Sequence, residues 1–325
     1  MNRMHPLAVA LAAALLAAPA VAKDTGLVFI SSEKDNAVTA LDGKTLEVVK
    51  VIPTGKRPRD LMFSPDHTKL YAACGDADRV DVIDVATLAV TGRIPVGEDP
   101  EMFDLSPDGR TLYVSREEDS VLGIIDLATR KQTGEVKVGG EPEGVLVSAD
   151  GRTVYVTSEV ASLVSAVDPV AGKVMKTAKV GNRPRRFAMT PDGTQLWVTN
   201  ELGASVSIIE TAGHTVAATL KFEPKGFRAD DVSPVGITMS ADGRTAYVAL
   251  GKANHVAVVD VASREVQDYI LVGKRAWGLT LDRSGQRLFV ANGLSDDVSV
   301  VDTATRKAVK TIRAGRVPHS IAIDD

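Results

Sequence analysis

The apolar positions of this chain come in runs of about five residues, parted by tight polar turns, and the same wording returns at a fixed spacing. Val121-Leu122-Gly123-Ile124-Ile125 and Leu27-Val28-Phe29-Ile30-Ser31 are two such runs. They are nearly continuously apolar, as strands covered on both faces are. Turns of one type precede them: Ser106-Pro107-Asp108-Gly109, Ser148-Ala149-Asp150-Gly151, Thr190-Pro191-Asp192-Gly193 and Ser240-Ala241-Asp242-Gly243, with Ser64-Pro65-Asp66-His67 and Asp282-Arg283-Ser284-Gly285 as weaker versions. Asp-Gly between apolar runs is a strong hairpin signal, because glycine takes the positive φ the turn requires.

A proline leads into each unit at Pro58, Pro100, Pro142, Pro184, Pro234 and Pro318, with Ala276 in the remaining copy, so the period is 42 residues with one interval of 50. A period of this length marks a propeller or solenoid. Seven aromatic-to-acid pairs fill it: Phe29 to Asp42, Tyr71 to Asp84, Tyr113 to Asp126, Tyr155 to Asp168, Trp197 to Glu210, Tyr247 to Asp260 and Phe289 to Asp302. A lone four-stranded unit would expose both faces, so the units must stand side by side. The pattern predicts an all-β, seven-bladed propeller of four-stranded antiparallel blades. Only six hairpin turns precede the seven pairs. The first blade therefore lacks its inner strand, and Ser320-Ile321-Ala322-Ile323 is the spare strand that closes the ring. The acids that end the third strands suit side chains bonding nearby backbone amides.

Composition changes the picture in three places. Arg3, the apolar run from Leu7 to Ala18 and Ala20-Val21-Ala22 read as a cleavable export signal over residues 1–22, which leaves one propeller domain over 23–325 and predicts a periplasmic location. The run is too short to span a membrane. Without the signal the balance is 37 basic against 42 acidic residues, which argues against a nucleic-acid surface. Cys74 is the only cysteine, so internal disulfides are excluded and it reads as a small buried side chain.

Antiparallel strands bring the loop before each inner strand and the loop after each second strand to one end of the ring. There the sequence places Arg57, Arg59, Glu101, Glu143, Arg183, Arg185, Arg275, Trp277 and His319, two acidic blades facing a basic arc. Guanidinium groups of Arg59, Arg185 and Arg275, with Trp277 as a stacking platform, suit a small anionic ligand. The competing reading pairs these arginines with Glu33, Glu117, Glu159 and Glu201. His319 alone among the histidines stands on the ring, where an axial ligand or general base belongs. His67, His214 and His255 show no ligand spacing. The eight extra residues of the long interval fall within Lys221 to Asp231, and insertions in repeat proteins often map to the binding face. Nucleophile elbow, Walker loop, dinucleotide fingerprint and zinc motif are all missing from the chain, so no cofactor, metal or catalytic residue is expected.

The Tyr-Val-x-x wording of Tyr113-Val114-Ser115-Arg116, Trp197-Val198-Thr199-Asn200 and Phe289-Val290-Ala291-Asn292, with the Ser-Pro-Asp-Gly turn and the Gly-x-x-Pro lead-in, resembles the YVTN-repeat β-propellers over nearly the whole chain. The arrangement looks most like the exported propellers associated with PQQ-dependent alcohol catabolism. That resemblance implies a non-enzymatic binding or scaffold protein, monomeric, beside a periplasmic quinoprotein dehydrogenase, a cytochrome c or a transport system. The tryptophan dockings that mark PQQ-binding propellers are absent, so PQQ itself is not expected to bind. Two alternatives share the repeat. One is a lactonase-like hydrolase with a divalent cation on Glu101 and Glu143; the other is a haem or quinone carrier using His319 and Trp277.

Overall fold

Each repeat unit folds as four antiparallel strands, and seven such sheets close a ring around one axis. The computed structural model describes residues 24–325, so the expected signal segment lies outside the described residues. Blade 1 holds Leu27–Ser32, Ala37–Asp42 and Val48–Pro53, and its inner strand is Pro318–Asp324 from the far end of the chain. That strand pairs antiparallel with Leu27–Ser32, from Leu27 opposite Asp324 to Ile30 opposite Ile321. The inner strands of blades 2 to 7 are Pro58–Phe63, Pro100–Leu105, Pro142–Val147, Pro184–Met189, Ile237–Met239 and Ala276–Leu281.

The second and third strands are buried almost end to end, and the outer strands turn residues alternately to solvent. Apolar clusters sit between neighbouring blades: Tyr71, Val80 and Ile94 of blade 2 pack against Phe103, Leu112 and Ile125 of blade 3. This sandwiching is why the strands read as unbroken apolar runs. Among the described residues no helix is long and apolar enough to cross a membrane.

The turn chemistry follows the sequence. Ser106 Oγ donates to Asp108 while Gly109 sits at φ +67°, and Asp126 accepts the Thr129 amide and hydroxyl at 2.7 and 2.6 Å. Glu210 departs from the set and accepts Gln195 Nε2 instead. In blade 2 His67 takes the glycine position at φ +56°, a conformation costing about 1 kcal/mol for a residue with a Cβ. It gains a partner there, since Nδ1 lies 2.7 Å from Asp324 Oδ1 and the ring stacks on Phe63. Asp324 also accepts the Thr25 amide and hydroxyl. The start of the ring, its last strand and the blade 2 turn therefore meet on one carboxylate.

The residue two places after the repeat aromatic ties one blade to the next. Ser31, Ser115, Thr157 and Thr199 donate their hydroxyls to the carbonyls of Arg59, Glu143, Arg185 and Val235. Where alanine stands there instead, as in Ala249, a backbone bond from Gly236 to the Trp277 carbonyl spans the joint. These ties fix the first turn-free residues of the inner strands, which line the axis.

Two details differ from the sequence expectation. In blade 6 the inner strand begins only at Ile237, three residues past Pro234, because the preceding insertion bends into a short 3-10 turn at Ala229–Asp231. Phe222 and Val232 anchor its two ends in the core while Phe227 is half exposed. Cys74 is the last residue of its strand and not in the following loop; it is fully buried, and burial pushes its thiol up to about 12.

Candidate functional site

The residue after each lead-in proline turns toward the axis, so the repeat itself builds a ring from His319, Arg59, Glu101, Glu143, Arg185, Val235 and Trp277 in blade order. Most of this ring is sealed from solvent: Glu101 is 1% exposed, Glu143 2%, His319 2% and Arg185 4%. Charges that deep need partners. Glu101 is held on both oxygens, by Arg59 on one and by Arg57 at 2.7 Å on the other, and Arg59 Nε reaches Glu33 at 3.2 Å. Arg185 Nη2 lies 2.9 Å from Glu143, and its Nη1 contacts Glu159. Arg183 bridges Glu159 and Glu201 at 2.8 and 3.1 Å.

The arginines thus pair with the acids of the neighbouring loops Glu33, Glu159 and Glu201. Glu117 is the exception, with no arginine within ion-pair distance among the described residues, and burial together with Glu143 raises its carboxyl above the usual range. Burial works against ionisation of Glu143 too, but Arg185 and Arg59 outweigh it and hold that carboxyl below its ordinary value. Asp99, Glu101 and Glu117 bring oxygens within 4.8 Å of one another. The positive charge beside them is the Arg57 guanidinium, which bonds both Asp99 and Glu101.

His319 is held from several sides. Trp277 donates its indole N–H to Nε2 at 2.6 Å, Arg59 Nε approaches the same atom at 3.3 Å and Arg186 Nη2 at 3.2 Å. Three donors around one nitrogen make Nε2 the acceptor and leave the proton on Nδ1, facing Ser320 Oγ. Burial, then the surrounding arginines, drives its pKa well below the usual value. The lone pair that an axial ligand or general base would use is already engaged. Arg275 lies with its guanidinium over Trp277, 4.7 Å from the ring centroid, and 3.7 Å from Glu201.

Of the nine residues the sequence placed at this end, Arg57, Arg183 and Arg275 form a partly exposed rim, and the other six make the layer beneath. Sequence reasoning did not single out the next layer, Asp60 and Arg186, nor Asp104 deeper still. The signal was there in the doubled Arg185-Arg186 and in Arg59-Asp60. Asp60 accepts the Leu61 and Phe103 amides, and burial, opposed by Arg186, pushes it up to about 7. Asp104 accepts Leu105 and Val147 amides and is pushed up to about 6 by burial. Both carboxyls stitch one inner strand to the next.

A family model described as YNCE-like beta-propeller matches residues 21–287. The chain belongs to the YNCE-like beta-propeller family. No curated protein matches it. Solved structures place this YNCE-like propeller beside the Kuenenia stuttgartiensis hydrazine synthase, at 23% identity and TM-score 0.79 over 91% of this chain and 99% of that one. A functionally unknown protein from Desulfotomaculum acetoxidans is similar at 18% identity and TM-score 0.79, covering 92% and 99%. The dihydro-haem d1 dehydrogenase NirN, in complex with DHE, is similar at 16% identity and TM-score 0.69, covering 91% and 75%. At these identities the likeness is one of fold.

Proposed function

We propose that this YNCE-like propeller is a non-enzymatic binding or scaffold protein of the periplasm, and that it serves PQQ-dependent alcohol oxidation. The observation that supports a binding role is the spent chemistry of the axial ring. Each charged group there is neutralised by another, and the one histidine is neutral with its acceptor nitrogen occupied. A reaction centre needs a group free to take a proton, attack or ligate; this layer instead stiffens the loops around it. The exposed rim of Arg57, Arg183 and Arg275 with the surrounding loops is the docking face, and its mixed charge suits a protein surface of complementary charge.

The quinoprotein setting rests on the repeat wording and its exported arrangement. The partner class is a periplasmic dehydrogenase, cytochrome c or transport-system component, met by a monomer. The test is capture of the tagged full chain from the periplasm of cells grown on an alcohol. Recovery of one of these components, reduced when Arg57 and Arg183 are both replaced by alanine, supports the reading. Recovery of none of them overturns the quinoprotein role. The haem-carrier alternative is decided by an absorption spectrum of the same material, and the lactonase alternative by a lactone assay with added divalent metal.

A further inference from the structure

Beneath the sealed ring the axis opens into a cavity of about 190 Å³, room for about six waters at liquid density. Arg186 stands at its ring-side end and is only 9% exposed. Its Nη2 lies 3.2 Å from both ring nitrogens of His319. Nε is buried with no hydrogen-bond partner, and Nη1 bonds no group among the described residues. No carboxylate reaches ion-pair distance of this guanidinium among those residues either. This is the reverse of Arg59 and Arg185 in the layer above, each of which holds two acids.

A buried guanidinium without an anion is costly, and the groups around Arg186 do not supply one. His319 is neutral and already accepts Trp277. Glu143 is turned to Arg185. Asp60 lines the same cavity, but its oxygens accept the Leu61 and Phe103 amides at 2.9 and 3.3 Å. The rest of the wall is apolar: Leu61, Val145, Ile237, Leu279 and Ile321 surround the axis one residue further along their strands. Beyond them Met62, Leu146, Thr238 and Thr280 become partly exposed, so the cavity communicates with the hairpin end of the ring, away from the rim.

We propose that this cavity binds a short-chain monocarboxylate, its carboxylate on Arg186 and its alkyl chain against the apolar wall. The fork of a guanidinium matches a carboxylate in geometry and charge. A single negative charge is favoured over a dianion because Asp60 stands in the same space. The volume limits the ligand to a few carbons. This site is at the other end of the channel from the docking face and does not rest on the partner role.

The test is calorimetric titration of the folded protein with acetate, propionate and butyrate, and with propionamide as the neutral isostere. Saturable one-site binding of propionate is expected, with no binding of the amide. Arg186→Gln is expected to weaken it by about tenfold or more, the value of a charge-assisted hydrogen bond. Met102→Trp, which fills the cavity from a partly exposed position and keeps Arg186, is expected to weaken butyrate most and decides the matter if Arg186→Gln does not fold. Absence of saturable carboxylate binding, equal binding of propionamide, or unchanged affinity in Met102→Trp would each overturn the proposal.

Discussion

Trp277 of the last blade donates its indole N–H to Nε2 of His319 on the strand that closes the ring, at 2.6 Å. The bond spans the joint between the chain's two ends, and it also fixes the protonation state of the one histidine on the axis. Stability and site electrostatics are therefore coupled at this pair.

The first prediction concerns that histidine. Its folded pKa lies well below 6.5, because burial and Arg186, Arg59 and Arg185 disfavour the cation. Below pH 6.5 the unfolded chain binds a proton that the native state does not, so stability is lost as pH falls. Compared with His319→Gln, the wild type is expected to lose up to about 1.4 kcal/mol per pH unit below 6.5. Urea unfolding of both proteins between pH 7.5 and 5 measures the difference. A constant difference would mean that His319 titrates as an exposed residue does.

Asp60 carries the opposite sign. Its folded pKa is pushed up to about 7 from 3.8 by burial, so between these values the native state holds a proton that the unfolded chain has released. Stability from this group is present at low pH and lost as pH rises toward 7. Relative to Asp60→Asn, the wild type is expected to lose roughly 1–3 kcal/mol between pH 5 and 8. Denaturant melts at the two ends of this window decide it; a wild type that gains on the variant as pH rises refutes the assignment.

How far the sequence carried the reading depends on what each residue contacts. The period, the hairpin glycines and the spare strand at Ser320-Ile321-Ala322-Ile323 are local signals, and local signals set blade count and closure. Arg59, Glu101, Glu143 and Arg185 were legible as ring residues because position in the repeat fixes direction. Their pairing was left open between ligand and neighbouring acid, since which acid meets which guanidinium depends on distances between blades. Arg186 was quoted within its loop yet passed over for the same reason. Only the three-dimensional ring shows that Arg185 has taken Glu143 and Glu159, leaving its neighbour in sequence without a carboxylate.

The two layers of arginine should separate by mutation. Arg185→Leu leaves Glu143 and Glu159 buried beside each other, and removing one partner of a buried pair costs about 3–5 kcal/mol. Arg183 is partly exposed at the rim, and Arg183→Ala is expected to cost about 1 kcal/mol or less. Thermal and urea melts give the stabilities, and capture from periplasm gives partner binding. A rim variant as destabilised as Arg185→Leu would move Arg183 into the structural layer.

Ring closure rests on one short strand, and its carboxylate offers a finer probe than deletion. Removing residues 317–325 takes away the inner strand of blade 1 and exposes Val28 and Ile30, both fully buried. The melting temperature is expected to fall by about 10 °C or more. Asp324→Ala keeps the strand and removes the acceptor shared by Thr25 and His67. Its expected cost is about 1–3 kcal/mol, from donors left without partners. His67→Gly should cost less than Asp324→Ala, because glycine relieves the positive φ while the Thr25 bonds remain. If the deletion melts like the full chain, the closing strand carries no stability and the ring is held by packing between blades alone.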